Sequence, residues 1–164
     1  MAEVLSGTDM FFTAFEPKVQ NRFTMNIDGI PAFLIKAAAR PSINNNNIVI
    51  DYINTKRKLK GKSEWADVSI TLYDPIVPSA AQACMEWVRL AHESVTGRNG
   101  YADMYKKDVQ INVLGPVGDI VEKWDLKGAF PTTVDFNGSG LDWASQEALL
   151  INVTLAIDYA ILQF

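Results

Sequence analysis

From position 147 to 159 the chain alternates with a period of two. Glu147, Leu149, Ile151, Val153, Leu155, Ile157 and Tyr159 fall on one side, and Ala148, Leu150, Asn152, Thr154, Ala156 and Asp158 on the other. Successive side chains of a strand point to opposite faces, so this predicts a strand with an apolar core side and a small, polar or acidic outer side. It is the longest clean alternation in the chain and the strand around which a sheet is expected to assemble. Asn137-Gly138-Ser139-Gly140 just before it is a turn cluster.

Shorter alternations recur upstream. Phe23, Met25 and Ile27 oppose Arg22, Thr24 and Asn26, and Asp28-Gly29 follows as a two-residue hairpin signal leading into a partner strand at 30–39. Residues 48–53 are rich in β-formers and run into a basic loop at 55–62. Val68, Ile70 and Leu72 alternate with Asp67, Ser69, Thr71 and Tyr73. Val109, Ile111 and Val113 alternate with Asp108, Gln110 and Asn112. After the turn at 115–118, Ile120, Glu122, Trp124 and Leu126 form one side of a returning strand at 119–127. The aromatic stretch at 10–15 reads as a short helix or arm.

One helix interrupts this pattern. Ser79 with Gln82 three residues on fits a capping box, and Cys84, Trp87, Val88, Ala91 and Val95 recur at helical spacing, with Gly97 as a C-terminal cap. About seven strands and one helix, joined mostly by tight turns, predict an antiparallel β-sandwich or barrel with one flanking α-helix. The length of 164 residues favours a single domain over 1–164.

Charge sharpens the picture. The net charge is −4, yet Lys56, Arg57, Lys58, Lys60 and Lys62 are clustered without an acid among them. Setting these five of the 15 basic residues aside leaves 10 against 19 acidic ones, a net of −9. Such a cluster reads as a solvated loop, as half of a charge-complementary contact with another copy, or as a nucleic-acid patch. From Gly128 to the end there is no Lys, Arg or His, and Asp135, Asp142, Glu147 and Asp158 stand uncompensated.

Catalytic chemistry finds no support. A single cysteine, Cys84, precludes an internal disulfide and a cysteine metal cluster, and a single histidine, His92, precludes a histidine-rich metal site. Cys84 falls in the helical stripe and reads as a buried small apolar residue; His92 lies near the helix C-terminus, where it favours the dipole. Phosphate-binding, dinucleotide and zinc-protease motifs are missing. The expectation is no catalytic residue, no metal and no cofactor. No apolar run approaches the roughly 20 residues of a membrane span, and the acidic Glu3 with no basic flank argues against a secretory signal.

The C-terminal sequence from Tyr105 onward resembles the tail tube proteins of contractile-tailed bacteriophages of the T-even type. The resemblance is carried by Leu126-Lys127-Gly128 with Phe130-Pro131-Thr132, by Leu141-Asp142-Trp143, and by the run from Val153 to Tyr159. Met85-Glu86-Trp87 and Glu64-Trp65 extend it over residues 64–159; the aromatic start and the Asn44–Asn47 run depart from the family. The resemblance implies a structural subunit without catalysis. Its hexameric rings would stack into a tube, two sheets per subunit contributing to a shared inner β-barrel that conducts DNA at ejection. Partners would be further copies, a contractile sheath, baseplate and tape-measure proteins, with DNA passing without specific binding and no membrane. The location would be the tail of a virion assembled in the bacterial cytoplasm. A baseplate tube-initiator, or the tube of a type VI secretion or R-type bacteriocin particle, is the alternative. Within this frame Asn152, Thr154 and Asp158 are expected to face the lumen, and Lys56, Arg57, Lys58, Lys60 and Lys62 to form a long loop reaching a neighbouring subunit or ring.

Overall fold

Period-two alternation turns into burial wherever two sheets face one another. The computed structural model describes residues 16–164, so the aromatic stretch at 10–15 lies outside the described residues. The strands are β1 (Phe23–Ile27), β2 (Ile35–Ala38), β3 (Ile43–Tyr52), β4 (Thr55–Trp65), β5 (Val68–Tyr73), β6 (Lys107–Leu114), β7 (Ile120–Asp135), β8 (Leu150–Ala156) and β9 (Tyr159–Leu162). Helix α1 (Ala80–Ala91) and the single turn α2 (Ala102–Tyr105) lie between β5 and β6. The paired strands are antiparallel throughout, as the alternation predicts.

Seven strands form one bent sheet. Its order is β1-β6-β7-β8-β5-β2, with β9 added to β7. The bend is made by β7, whose 16 residues pair with β6 and β9 near their start and with β8 near their end. Gly128 sits at the corner with φ of 66°, a left-handed conformation that favours glycine. A Cβ there would overlap the Asp158 carboxylate, and the Asp158 amide donates to Lys127 O at 3.0 Å. β8 and β9 bend at the same place, so the long C-terminal strand read from sequence is two strands around a corner. Ile151, Val153 and Leu155 are buried as expected and Ile157 packs on the core, whereas Tyr159 has passed the bend and is half exposed.

Inside the fold, Met25, Ile27, Val109, Ile111 and Leu126 of one half-sheet join Val68, Ile70, Leu72, Ile151, Val153 and Leu155 of the other in one core. Each fully buried aliphatic side chain contributes about 1.5–3 kcal/mol. Helix α1 adds Ala80, Cys84 and Trp87 to that core, and the Trp87 indole N–H donates to Tyr105 O at 2.7 Å. Ser79 caps the helix by accepting from the Gln82 amide, as its sequence signature predicts. The helix ends earlier than expected, at Ala91 with His92 as C-cap, so exposed Val95 and Gly97 belong to the following turn.

Two further expectations are corrected. The Asp28-Gly29 turn forms, with Gly29 at φ 87°, but β1 pairs with β6 and β2 pairs with β5. A 3-10 turn at Ala32–Leu34 follows Pro31 and carries the chain across to the other half-sheet. The basic segment 55–62 is no loop. It is most of β4, paired with β3 from Ile43↔Trp65 to Tyr52↔Thr55 in a separate two-stranded sheet. The asparagine run lies within β3.

Candidate assembly surfaces

Four strands, β7 (its last residues), β8, β5 and β2, present one outer face. Cross-strand partners share a face, so register assigns its residues: Asp135, Asn152 and Thr71 form one row, and Thr133, Thr154 and Ser69 the next. Thr71 Oγ1 donates to Asn152 Oδ1 at 3.1 Å, and Thr132 Oγ1 donates to Thr154 O at 3.1 Å. These side chains are short, and the bonds tie them down along the wall. Two lysines approach this face: Lys36 on the edge strand β2, with its ammonium 5.6 Å from the centre of the Tyr73 ring, and Lys106 at the bend, 5.9 Å from the centre of the ring of Phe130, which pairs with Ala156. Of the three residues expected to share a surface, Asn152 and Thr154 do so. Asp158 sits at the bend, off β8, where Lys106 Nζ donates to both carboxylate oxygens at 2.9 Å.

The other half-sheet has a different outer face. Asp108 accepts from Lys127 at 2.7 Å, and Gln163 Nε2 donates to Asp125 at 2.8 Å. The Lys127 hydrogen bond holds the Asp108 carboxyl below the usual aspartate range. Lys123 and Lys127 make this face mixed in charge, unlike the central rows of the β8 face.

The β3–β4 hairpin is the second surface. Every β3 residue is exposed, and its strands pair only with each other. Register sorts its side chains into two faces. Ile48 and Leu59, Ile50 and Arg57, Tyr52 and Thr55 share one; Asn47 and Lys60, Val49 and Lys58, Asp51 and Lys56 share the other. The hairpin is thus amphipathic, with an aliphatic and aromatic face carrying Arg57, and a lysine face. Lys56 lies 3.7 Å from Asp51, while Arg57, Lys58, Lys60 and Lys62 have no ion pair among the described residues. An isolated two-stranded hairpin is marginal in water, so this one is built to be covered.

A third feature was missed at the sequence level. Glu122 lies on the core side of β7 and is 5% exposed. Lys18 from the first described segment, Arg40 after β2 and the Trp124 indole all donate to its carboxylate. The Lys18 hydrogen bond in particular holds the carboxyl below the usual glutamate range, outweighing burial. A buried carboxylate in a core-facing register position is the signal that calls for such partners. Which cations supply them has no local signature.

The singletons behave as read. Cys84 is buried, and desolvation first, with Asp74 adding to it, pushes its thiol up to about 11. His92 Nδ1 lies 2.8 Å from Asn99 Oδ1, in the turn after α1. Among the described residues no cluster of His, Cys, Asp and Glu is arranged to hold a metal ion, and no helix is long and apolar enough to cross a membrane.

Neither the known protein-family models nor the curated proteins include a match to this chain. Solved structures do. A chain in the cryo-EM structure of the anti-feeding prophage cap, the tube terminating cap, superposes with a TM-score of 0.73 at 20% identity, covering 97% of this chain and 99% of that one. The sheath/tube terminator of the PVC extracellular contractile injection system gives 0.72 at 19% identity, covering 93% and 100%. The PVC sheath-tube complex gives 0.70 at 19% identity, covering 98% and 99%. The chain therefore has, over almost its whole length, a fold found in the tube assemblies of contractile injection particles.

Proposed function

We propose that this chain is a structural subunit of a hollow tube inside a contractile sheath, and that it performs no catalysis. The observation that carries this reading is the β8 face. Among the described residues its four-strand half-sheet has two free edges, β2 on one side and the end of β7 on the other. Hexameric rings would pair these edges between neighbouring copies into one closed barrel, which removes exposed strand edges altogether. Asn152 and Thr154 would then line the bore. Asp158, tied to Lys106, would stand at its margin.

A wall whose central rows are short neutral and acidic side chains, with Lys36 at one edge and Lys106 held by Asp158 at the bend, suits passage of a polyanion, because each free Lys or Arg on it would add a phosphate contact. In a phage tail the cargo would be DNA, passing from head to host, with sheath, baseplate and tape-measure proteins as the other contacts of the tube. The particle would assemble in the bacterial cytoplasm and function as part of a virion. A second reading is a ring that begins or ends such a tube, which the fold shared with a terminating cap supports. A terminal ring adds no further copies, whereas a tube subunit polymerises.

Negative-stain electron microscopy of the purified chain across concentration and salt separates these. Open rings stacking into tubes support the conduit. Rings that never stack favour the terminal piece, and a monomer under every condition, including with added tube-initiating rings, counts against both.

A further inference from the structure

We propose that Asn137 is a site of spontaneous covalent modification. Its side chain cyclises onto the Gly138 nitrogen, and water opens the resulting succinimide to aspartate or isoaspartate. The sequence holds two Asn-Gly pairs, Asn99-Gly100 and Asn137-Gly138. Glycine has no Cβ to shield its nitrogen, so it obstructs attack on the preceding side chain least of all residues. Both asparagines are exposed, and by sequence the two pairs are equivalent. The fold separates them.

Asn99-Gly100 is locked. It lies in the turn after α1, where the Gly100 amide donates to Ala91 O at 2.9 Å. A Cβ on Gly100 would overlap Leu90 O, so this backbone is pressed onto the helix end. The Asn99 side chain is held as well, with Oδ1 2.8 Å from His92 Nδ1. Nucleophile and electrophile are each engaged elsewhere, and both bonds must open locally before the two can meet.

Asn137-Gly138 opens the loop from β7 to β8, and there the bonds fall differently. Asp135 accepts from the Asn137 amide at 2.9 Å, and the Gly140 amide donates to Asn137 O at 3.1 Å. These two fix the turn around the pair. Among the described residues, neither the Gly138 amide nor the Asn137 carboxamide makes a hydrogen bond, so both reacting groups are free. The bond to Asn137 O also favours the chemistry. That oxygen shares the negative charge left when the Gly138 nitrogen loses its proton, and a hydrogen bond to a charged form stabilises it.

The reaction needs only water. Hydroxide takes the Gly138 amide proton, the nitrogen bonds to Asn137 Cγ, and the Cγ–Nδ2 bond breaks. The departing amide takes a proton from water and leaves as ammonia, which restores the hydroxide. Water then adds to either carbonyl of the ring. One opening leaves aspartate; the other leaves isoaspartate, whose main chain runs through the side-chain carbon. Both products place a new carboxylate next to Asp135. The isoaspartyl form also lengthens the main chain where space is short, since a Cβ on Gly138 would lie 2.9 Å from Asn152 Nδ2 and 3.0 Å from Leu150 O. The change therefore bears on the end of β8 that carries Asn152. It stands whether or not the chain builds a tube.

The test is peptide mapping by mass spectrometry of the native full chain, sampled over time at mildly alkaline pH, beside a urea-unfolded sample. Conversion reads as a gain of about one mass unit, with the isoaspartyl peptide resolved by chromatography. In the native chain Asn137 is expected to convert about tenfold or more faster than Asn99, because only Asn99 must first break bonds. In urea the two rates should converge. Asn137→Gln should remove the mass gain from its peptide. Matching native rates at the two sites, a native Asn137 rate far below its rate in urea, or a mass gain that survives Asn137→Gln overturns the proposal.

Discussion

β8 and β3 are both strands of this chain, yet β8 buries every second side chain and β3 buries none. The contrast is one of partners. β8 lies between β5 and β7, and its Ile151, Val153 and Leu155 enter a shared core. β3 has one neighbour, and among the described residues nothing covers its faces. The sandwich core therefore closes within one chain, while the hairpin's aliphatic face and four of its cations have no partner among the described residues. One region encodes stability; the other, on the proposed reading, encodes assembly.

Substitutions that separate stability from assembly test this division. The largest effect belongs to the body: Trp87→Ala removes a buried indole and is expected to cost about 3–5 kcal/mol in urea unfolding. Ile50→Ser on the hairpin is expected to stay within about 0.5 kcal/mol of wild type in the same measurement. A comparable loss for both would mean that the hairpin is packed in the single chain.

The corner comes next. Gly128→Ala puts a methyl group against Asp158 at a positive φ and is expected to cost about 1–3 kcal/mol. Gly97→Ala has a similar φ of 70° but open space around it, so only the backbone term of about 1 kcal/mol remains. Equal losses would show that crowding at the bend contributes nothing.

A smaller effect is set by pH. Glu122 and Asp108 both titrate lower in the folded chain than the ordinary values of 4.5 and 3.8, so the unfolded chain binds protons first as pH falls. Their stabilisation is complete above those ordinary values and is lost as pH drops through the lowered folded ones. Thermal melts should be flat from neutral pH down to about 5 and decline below that. Glu122→Gln should flatten the decline; an unchanged profile would remove Glu122 from the account.

The smallest change in the folded chain is expected from Lys58→Glu with Lys60→Glu. Both side chains are exposed, so the melting curve should hardly move. Light scattering at high concentration should instead show assembly suppressed, and added salt should weaken wild-type assembly in the same direction, since screening acts beyond about 8 Å at physiological ionic strength. Salt-insensitive growth would break the link between the hairpin and stacking.

This division also decides what could be read from the sequence. β1, β5, β6, β8 and α1 are legible because one-sided burial imposes a period on their residues. The hairpin is not, since a strand that buries neither face needs no alternation, and Asn and Lys are poor strand formers on average. β7 runs on past Gly128 and Pro131, residues that read as breakers, because the sheet corner uses the glycine's positive φ and leaves the proline near a free edge. The Asp28-Gly29 turn was legible, but β1's pairing with β6, some 80 residues away, has no local signal. On the β8 face, Asn152 and Thr154 were readable by parity alone. Asp158 shares their parity in the sequence, and only the bend at Gly128 takes it off their strand.

The claim at the centre is that the β8 face lines a bore. Cryo-electron microscopy of the assembled chain tests it most directly. The account predicts rings in which β7, β8, β5 and β2 of successive copies form a continuous barrel with Asn152 and Thr154 on its inner wall. A bore lined instead by the half-sheet that carries Asp108, Lys123 and Lys127 would contradict it.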